Sequence, residues 1–354
     1  MPTISLCMIV KNEEESLARC LDSIAGLVDE IIIVDTGSED RTEEIAGKYT
    51  SKVYHFPWID DFSAARNYAF SKATMEYCMW LDADDVIEEV QQAAFGRMKG
   101  SLEPETDIVM MKYDVAFDDK GNPTFSYYRE RILRNDGTHV WKGAVHEAIV
   151  PQGKIVHSEV AVSHKKIKPG DSDRNLNIYR KILAGGEKLE ARHQYYFARE
   201  LYYHREYQEA LDALLAFFDM PEGWIENKIE ACAIASYCYE RLDQPEGAMA
   251  VLFRSFQYDL PRAEICCDIG KIFLGKHRYE QAIFWYQKAL EAGKDEQRGG
   301  FLLLDCYDYI PYIQLCVCYD RLGKREEARL YNEKAGACKP DSIAYKQNKE
   351  YFGK

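Results

Sequence analysis

Three aspartates in four positions, Asp82-Ala83-Asp84-Asp85, follow directly on the apolar run YCMWL. Carboxylates crowded onto a loop at a strand end make a hard-oxygen site for Mg²⁺ or Mn²⁺. Such an ion bridges pyrophosphate oxygens and stabilises a departing phosphate. The alternative is an acidic loop that caps a following helix, VIEEVQQAA. A further acid, Asp35, ends the run EIIIVD. It can hydrogen-bond a ribose or a base edge, or it can close an Asx turn in DTGSED. The first turn of the chain, VKNEEES, carries neither GxGxxG nor GxxxxGK[ST], which argues against nicotinamide cofactors and P-loop ATP chemistry.

These acids need elements that bring them together. Up to about residue 90 short β-branched runs alternate with helical ones. TISLCMIV, EIIIVD, SKVYHF and YCMWLD read as strands. Between them, Leu17, Cys20, Leu21 and Ile24 recur at helical spacing, and DRTEEIAGKY and DFSAARNYAFSKA are also helical. Continuous apolar strands separated by helices predict a parallel sheet covered on both faces. Ligands of such sheets bind beyond the carboxyl ends of the strands, which here carry Lys11-Asn12-Glu13, Asp35-Thr36-Gly37-Ser38 and Asp82 to Asp85. From 105 to 165 the signal is mixed, with strands expected in DIVMMKYDV, SYYRERILR and KIVHSEVAVSH. KKIKPG reads as a linker with a Pro-Gly turn.

After about residue 173 the pattern is helical and repeats. The small residues Ala198, Ser236, Gly270 and Cys316 are each followed, at one fixed distance, by Ala210, Ala248, Ala282 and Ala328, with Leu201, Tyr239, Phe273 and Tyr319 between. Small residues let two antiparallel helices approach closely, and the large ones fill the gaps between hairpins. The pattern resembles the tetratricopeptide repeat, whose unit is about 34 residues. The last unit carries an insertion around 294–308.

Composition sets outer bounds. The 354 residues suffice for two domains. The net charge of −14 argues against a dedicated binder of nucleic acid or anionic membranes. No apolar stretch is long enough for a transmembrane helix. MPTISLCMIV lacks a basic start and reads as a strand, not a signal peptide. The eleven cysteines show no zinc spacing and read as buried free thiols, so a cytoplasmic location is expected.

SLCMIVKNEEESLARCLDSI, EIIIVDTGSEDRT, FSAARNYAF and MWLDADD, in this order, resemble a family 2 glycosyltransferase of the GT-A fold. A GT-A domain followed by tetratricopeptide-like helices is similar to bacterial peptide and protein glycosyltransferases of the sublancin S-glycosyltransferase type. The resemblance implies a GT-A nucleotide-sugar-binding catalytic domain over 1–170, a linker helix over 171–192 and helical repeats over 193–354. It implies that Val10, Asn12 and Glu13 line the nucleotide pocket, that Asp35 holds the uracil or ribose, and that Arg66 and Asn67 face the nucleotide or its phosphates. Asp84 would bind Mn²⁺ or Mg²⁺, with Asp82 near the ribose or the metal and Asp85 on sugar hydroxyls. His164 is either a third metal ligand or structural, and Trp141 either stacks on a sugar or belongs to the core. Glu147 in GAVHEAI falls where the family has its catalytic carboxylate. The usual Glu-Asp pair reads His146-Glu147 here, so His146 is a second candidate for base or sugar contact. The implied activity is inverting transfer of a hexose or N-acetylhexosamine from a UDP-sugar to a peptide or protein held partly by the repeats. The alternative is a surface-glycan or lipid-linked acceptor, with the repeats pairing two copies or binding a partner.

Overall fold

The computed structural model describes residues 1–118, 120–167, 173–294 and 302–353. The Pro-Gly turn of the expected linker and much of the expected insertion lie outside them. Two compact units divide between Lys188 and Leu189.

The first unit is built on an eight-stranded sheet. Its strands are β1 (Ile4–Val10), β2 (Glu30–Asp35), β3 (Val53–His55), β4 (Tyr77–Trp80), β5 (Asp85–Val86), β6 (Ile108–Phe117), β7 (Pro123–Arg134) and β8 (Ile155–His164), in the order β3-β2-β1-β4-β7-β6-β8-β5. The half made of β3, β2, β1 and β4 is parallel. Beyond it β7 runs antiparallel to β4 and β6, and β8 is parallel to β6. β1 is buried along nearly its whole length, as a strand covered on both faces must be. Helix α1 (Leu17–Ile24) turns Leu17, Cys20, Leu21 and Ile24 into the core on one face. Helix α3 (Phe62–Phe70) covers the other face, where Cys7, Ile32, Val34 and Cys78 meet Ala69. The Asp61 side chain caps α3 by accepting the Ala64 N–H at 3.0 Å.

Register then places the chemistry. Val10 lies opposite Asp35, and Cys7 lies opposite Trp80, so the acidic strand ends emerge at one rim of the sheet. The two-residue β5 pairs with the end of β8 and sets Asp85 opposite His164. The remaining helices of this unit are α2 (Thr42–Ala46), α4 (Glu89–Ser101) and α5 (Arg174–Ala184).

The second unit is helical hairpins: α6 (Ala191–Tyr203) with α7 (Tyr207–Asp219), α8 (Ile225–Arg241) with α9 (Pro245–Arg254), α10 (Ala263–Gly275) with α11 (Tyr279–Glu291), and α12 (Tyr309–Arg321) with α13 (Arg325–Cys338), followed by α14 (Ile343–Gly353). Ala198, Ser236, Gly270 and Cys316 are buried, as are Ala210, Ala248, Ala282 and Ala328. At Gly270 even a Cβ would come within 2.9 Å of the Tyr286 ring. Each hairpin turns through a left-handed residue: Arg205, Asp243, His277 or Gly323. The next N–H closes back on the helix in every case, as Glu206 does on the Leu201 carbonyl at 2.9 Å and Lys324 on that of Tyr319 at 2.9 Å. All eleven cysteines are free thiols, and all but Cys338 are buried. Among the described residues no helix is long and apolar enough to cross a membrane.

Candidate active site

A cavity of about 460 Å³ opens at the carboxyl rim of β1 and β4. The loop between β4 and β5 forms its acidic end. There Asp84, Asp85 and His164 bring one ligand atom each to within 4.8 Å of one another. His164 Nδ1 lies 3.4 Å from Asp84 Oδ1 and 3.3 Å from Asp85 Oδ1. Burial, reinforced by the charges of Asp82, Asp85 and Glu13, lifts Asp84 to about 6 against the pull of His164. The hydrogen bond to Asp85 raises His164, with burial opposing and Asp84 adding. Two carboxylates and an imidazole grouped in this way are a donor set that suits a divalent cation.

Arg66, on the buried face of α3, organises the opposite wall. Its Nη2 donates to Asp82 Oδ1 at 2.7 Å and its Nε to Glu147 Oε1 at 2.5 Å. The guanidinium also lies 4.9 Å from the Trp80 ring and 5.0 Å from that of Trp141. Burial alone would push Asp82 up, but Arg66 and Arg131 outweigh it and hold the carboxyl at about 2. Glu147 is presented by a short turn. Lys142 and Ala148 exchange backbone hydrogen bonds at 3.0 and 3.1 Å, and His146 at φ 51° lies in the left-handed region between them. The Phe62 N–H donates to the Ala144 carbonyl at 2.9 Å, and His146 stacks on Tyr179 of α5 with centroids 6.5 Å apart. The turn is therefore gripped by α3 and α5.

Residues 5–152 match the sequence model of the family Glycosyl transferase family 2, and residues 263–293 match that of a tetratricopeptide repeat. The N-terminal unit is a family 2 glycosyltransferase domain. A TPR repeat-containing protein of Synechococcus elongatus is 48% identical over 29% of this chain and 25% of its own length. The SPbeta prophage-derived glycosyltransferase SunS of Bacillus subtilis is 28% identical over 60% of this chain and 52% of its own. The chain thus spans about half the length of SunS and a quarter of the Synechococcus protein. Among solved structures, S. aureus TarS 1-349 in complex with UDP-GlcNAc aligns with 73% of this chain and 92% of that one, at 16% identity and a TM-score of 0.40. That likeness is too weak to argue from.

The glycosyltransferase domain gathers Val10, Glu13, Arg66, Asp82, Asp84, His146, Glu147 and His164 around its cavity. Other residues singled out from the sequence lie elsewhere. Asn12 is taken up by the neighbouring loop, its N–H donating to Ser38 Oγ and its Oδ1 accepting from Glu39. Asp35 closes the Asx turn: Oδ1 accepts the Gly37 and Ser38 N–H groups at 2.8 Å each, with Gly37 at φ +103°. Its Oδ2 is buried without a partner.

Three assignments need correction. Asn67 does not face the nucleotide; both ends of its amide bond the Trp141 backbone at 2.9 Å. Trp141 does not offer a sugar platform; it is 2% exposed and packs edge-on against Trp80 in the core. Asp85 cannot reach sugar hydroxyls, because it is fully buried under the loop. It joins the acid–histidine group where Asp82 was expected, Asp82 being engaged by Arg66.

Sequence reasoning missed Arg129, Trp58 and Phe62, which line the cavity, and Arg131 and Tyr113, which lie beneath it. The aromatic residues just before FSAARN were a readable signal for Trp58 and Phe62. The alternating charges of SYYRERILR resembled an ordinary half-exposed strand and gave none for Arg131.

Proposed function

We propose that this chain is a metal-dependent, inverting glycosyltransferase moving a hexose or N-acetylhexosamine from a UDP-sugar to a peptide or protein acceptor. One observation carries the reading: a single cavity holds an acid–histidine group suited to a divalent cation and a carboxylate, Glu147, oriented by Arg66. Asp84 and His164, with Asp85 behind them, would hold Mn²⁺ or Mg²⁺, which when bound neutralises the charge that develops on a diphosphate leaving group. Asp35, which the family resemblance assigns to the uracil or ribose, lies next to the cavity-lining Thr36 and keeps its Oδ2 buried without a hydrogen-bond partner.

Glu147 takes the proton from the acceptor hydroxyl or thiol. The freed electron pair forms a bond to the anomeric carbon. The bond from that carbon to the diphosphate breaks, its electrons leave with UDP, and the centre inverts. His146, on the same turn, is the alternative base. Stacked helical hairpins offer an extended surface for a chain-like acceptor, which is the support for a peptide or protein substrate. The test is a panel of nucleotide sugars assayed for hydrolysis, and for transfer to peptides, with Mn²⁺ or with excess chelator. A UDP-sugar should turn over only with metal. Undiminished turnover in chelator defeats the metal role, and turnover of no nucleotide sugar defeats the function.

A further inference from the structure

Arg131 stands on β7 with none of its side chain exposed. Its guanidinium lies between two rings, 3.8 Å from Trp80 and 4.3 Å from Tyr113. Nη1 reaches both ends of the acidic loop. It donates to the Trp80 carbonyl at 3.3 Å, where the loop leaves β4, and it pairs with Asp85 Oδ2 at 3.0 Å, where the loop enters β5. Asp85 is equally buried, and it passes the constraint on. Oδ2 also accepts the Asp82 N–H at 3.0 Å, and Oδ1 accepts the Tyr113 hydroxyl at 3.0 Å. That hydroxyl is also 3.0 Å from His164 Nδ1.

This is an expensive way to build a core. A fully buried ion pair recovers its desolvation cost only with full hydrogen bonding, and Nε and Nη2 of Arg131 have no hydrogen-bond partner. Apolar side chains of the same volume would fill the space between Trp80 and Tyr113 without that cost. What they could not do is tie the start of the loop, its end and the Tyr113–His164 pair to one rigid, planar cation. A lysine could not span these partners either, because its ammonium is a point charge on a flexible stem.

We infer that Arg131 is a positioning residue for the metal site: through Asp85 and Tyr113 it fixes the Asp82–Asp85 loop so that Asp84 and His164 face the cavity side by side. Arg131 touches neither metal nor substrate. The inference rests on the metal reading above, and its test separates the two.

Mn²⁺ alone is titrated into the full-length wild type, R131K and R131M, with free Mn²⁺ followed by electron paramagnetic resonance and thermal melting recorded in chelator. Loss of an outer partner of this kind costs about 10–100-fold in metal affinity. R131K, which keeps the charge and much of the volume, should still fold, melting only a few degrees below the wild type, yet bind Mn²⁺ about tenfold more weakly, and R131M should fall further. That split would not arise if Arg131 were only core filling. R131K binding within about twofold of the wild type overturns the inference and leaves the metal reading intact. Failure of both variants to fold overturns it too, in favour of a purely structural role. A wild type that binds no Mn²⁺ overturns the metal reading itself.

Discussion

Replacing Arg66 tests whether the two walls of the cavity are joined by electrostatics. Arg66→Met leaves two carboxylates without their shared cation. Removing one partner of a buried pair typically costs about 3–5 kcal/mol, because the other charge stays behind unpaired. The two carboxylates do not share that cost equally. The Glu147 side chain is 11% exposed and bears nearly all of it. The Asp82 side chain is 37% exposed, so water screens it and its share is at most about 1 kcal/mol. Arg66→Lys retains the charge but not the fork that meets two carboxylates at once, and should cost about 1.5–3 kcal/mol, one charge-assisted hydrogen bond.

The deciding experiment is a double-mutant cycle with Glu147→Gln, which removes the charge that Arg66→Met orphans. The double variant should be about 2 kcal/mol more stable than the sum of the single effects predicts. Because two units need not unfold together, stability is read by native-state hydrogen exchange at the amides of β4 and β7. Additivity within about 0.5 kcal/mol would refute the pair as the link between the walls.

Four further substitutions test the site and the helical unit. Glu147→Gln should leave UDP affinity unchanged in calorimetry and lower transfer to a hydroxyl acceptor by about 10²–10⁴; wild-type transfer would move the base to His146. In the helical unit, burial lifts Asp268 to about 6, above the usual carboxylate value of about 3.9, although the Tyr237 hydroxyl donates to it at 3.0 Å. The folded state therefore holds this proton more tightly, a contribution fully present below about pH 4 and lost as pH rises through about 6. Asp268→Asn should stabilise the unit by about 1–2 kcal/mol at pH 8 and little at pH 4, and equal effects at both pH values would exclude the titration. Finally, a Cβ at Gly323 meets nothing within 4 Å, so Gly323→Ala should cost about 1 kcal/mol from left-handed backbone alone, and Arg205→Gly should gain up to that amount. Denaturation midpoints that move the other way would sink the argument.

What the sequence made legible follows the range of the forces involved. Burial in β1, α1 and the hairpins is set by neighbours a few positions away, so apolar periodicity located Leu17, Cys20, Leu21 and Ile24, and small-residue periodicity located Ala198 and Ala210. Fates decided by partners far along the chain were not legible. Asn67 looks like a ligand contact until the Trp141 backbone, 74 residues on, occupies its amide. The two-residue β5 is too short to carry a pattern, yet it sets Asp85 against His164. Three of the four hairpin turns put Arg205, Asp243 and His277 where glycine is the usual signal, so composition did not mark them.

The acidic loop shows the same division in its electrostatics. From the residues alone the three aspartates form one acidic motif, and only the family resemblance assigns them separate roles. In the fold their cationic partners differ: Arg66 from α3 holds Asp82, Arg131 from β7 holds Asp85, and His164 from β8 lies beside both Asp84 and Asp85. Two of these partners are arginines, charged at any working pH, so Asp82 and Asp85 each keep a fixed counter-charge that helps hold the loop. The third is a histidine, which is neutral when it ligates a metal. Asp84 is thus left with the histidine rather than an arginine at the cavity, and burial, followed by the charges of Asp82, Asp85 and Glu13, raises its pKa to about 6.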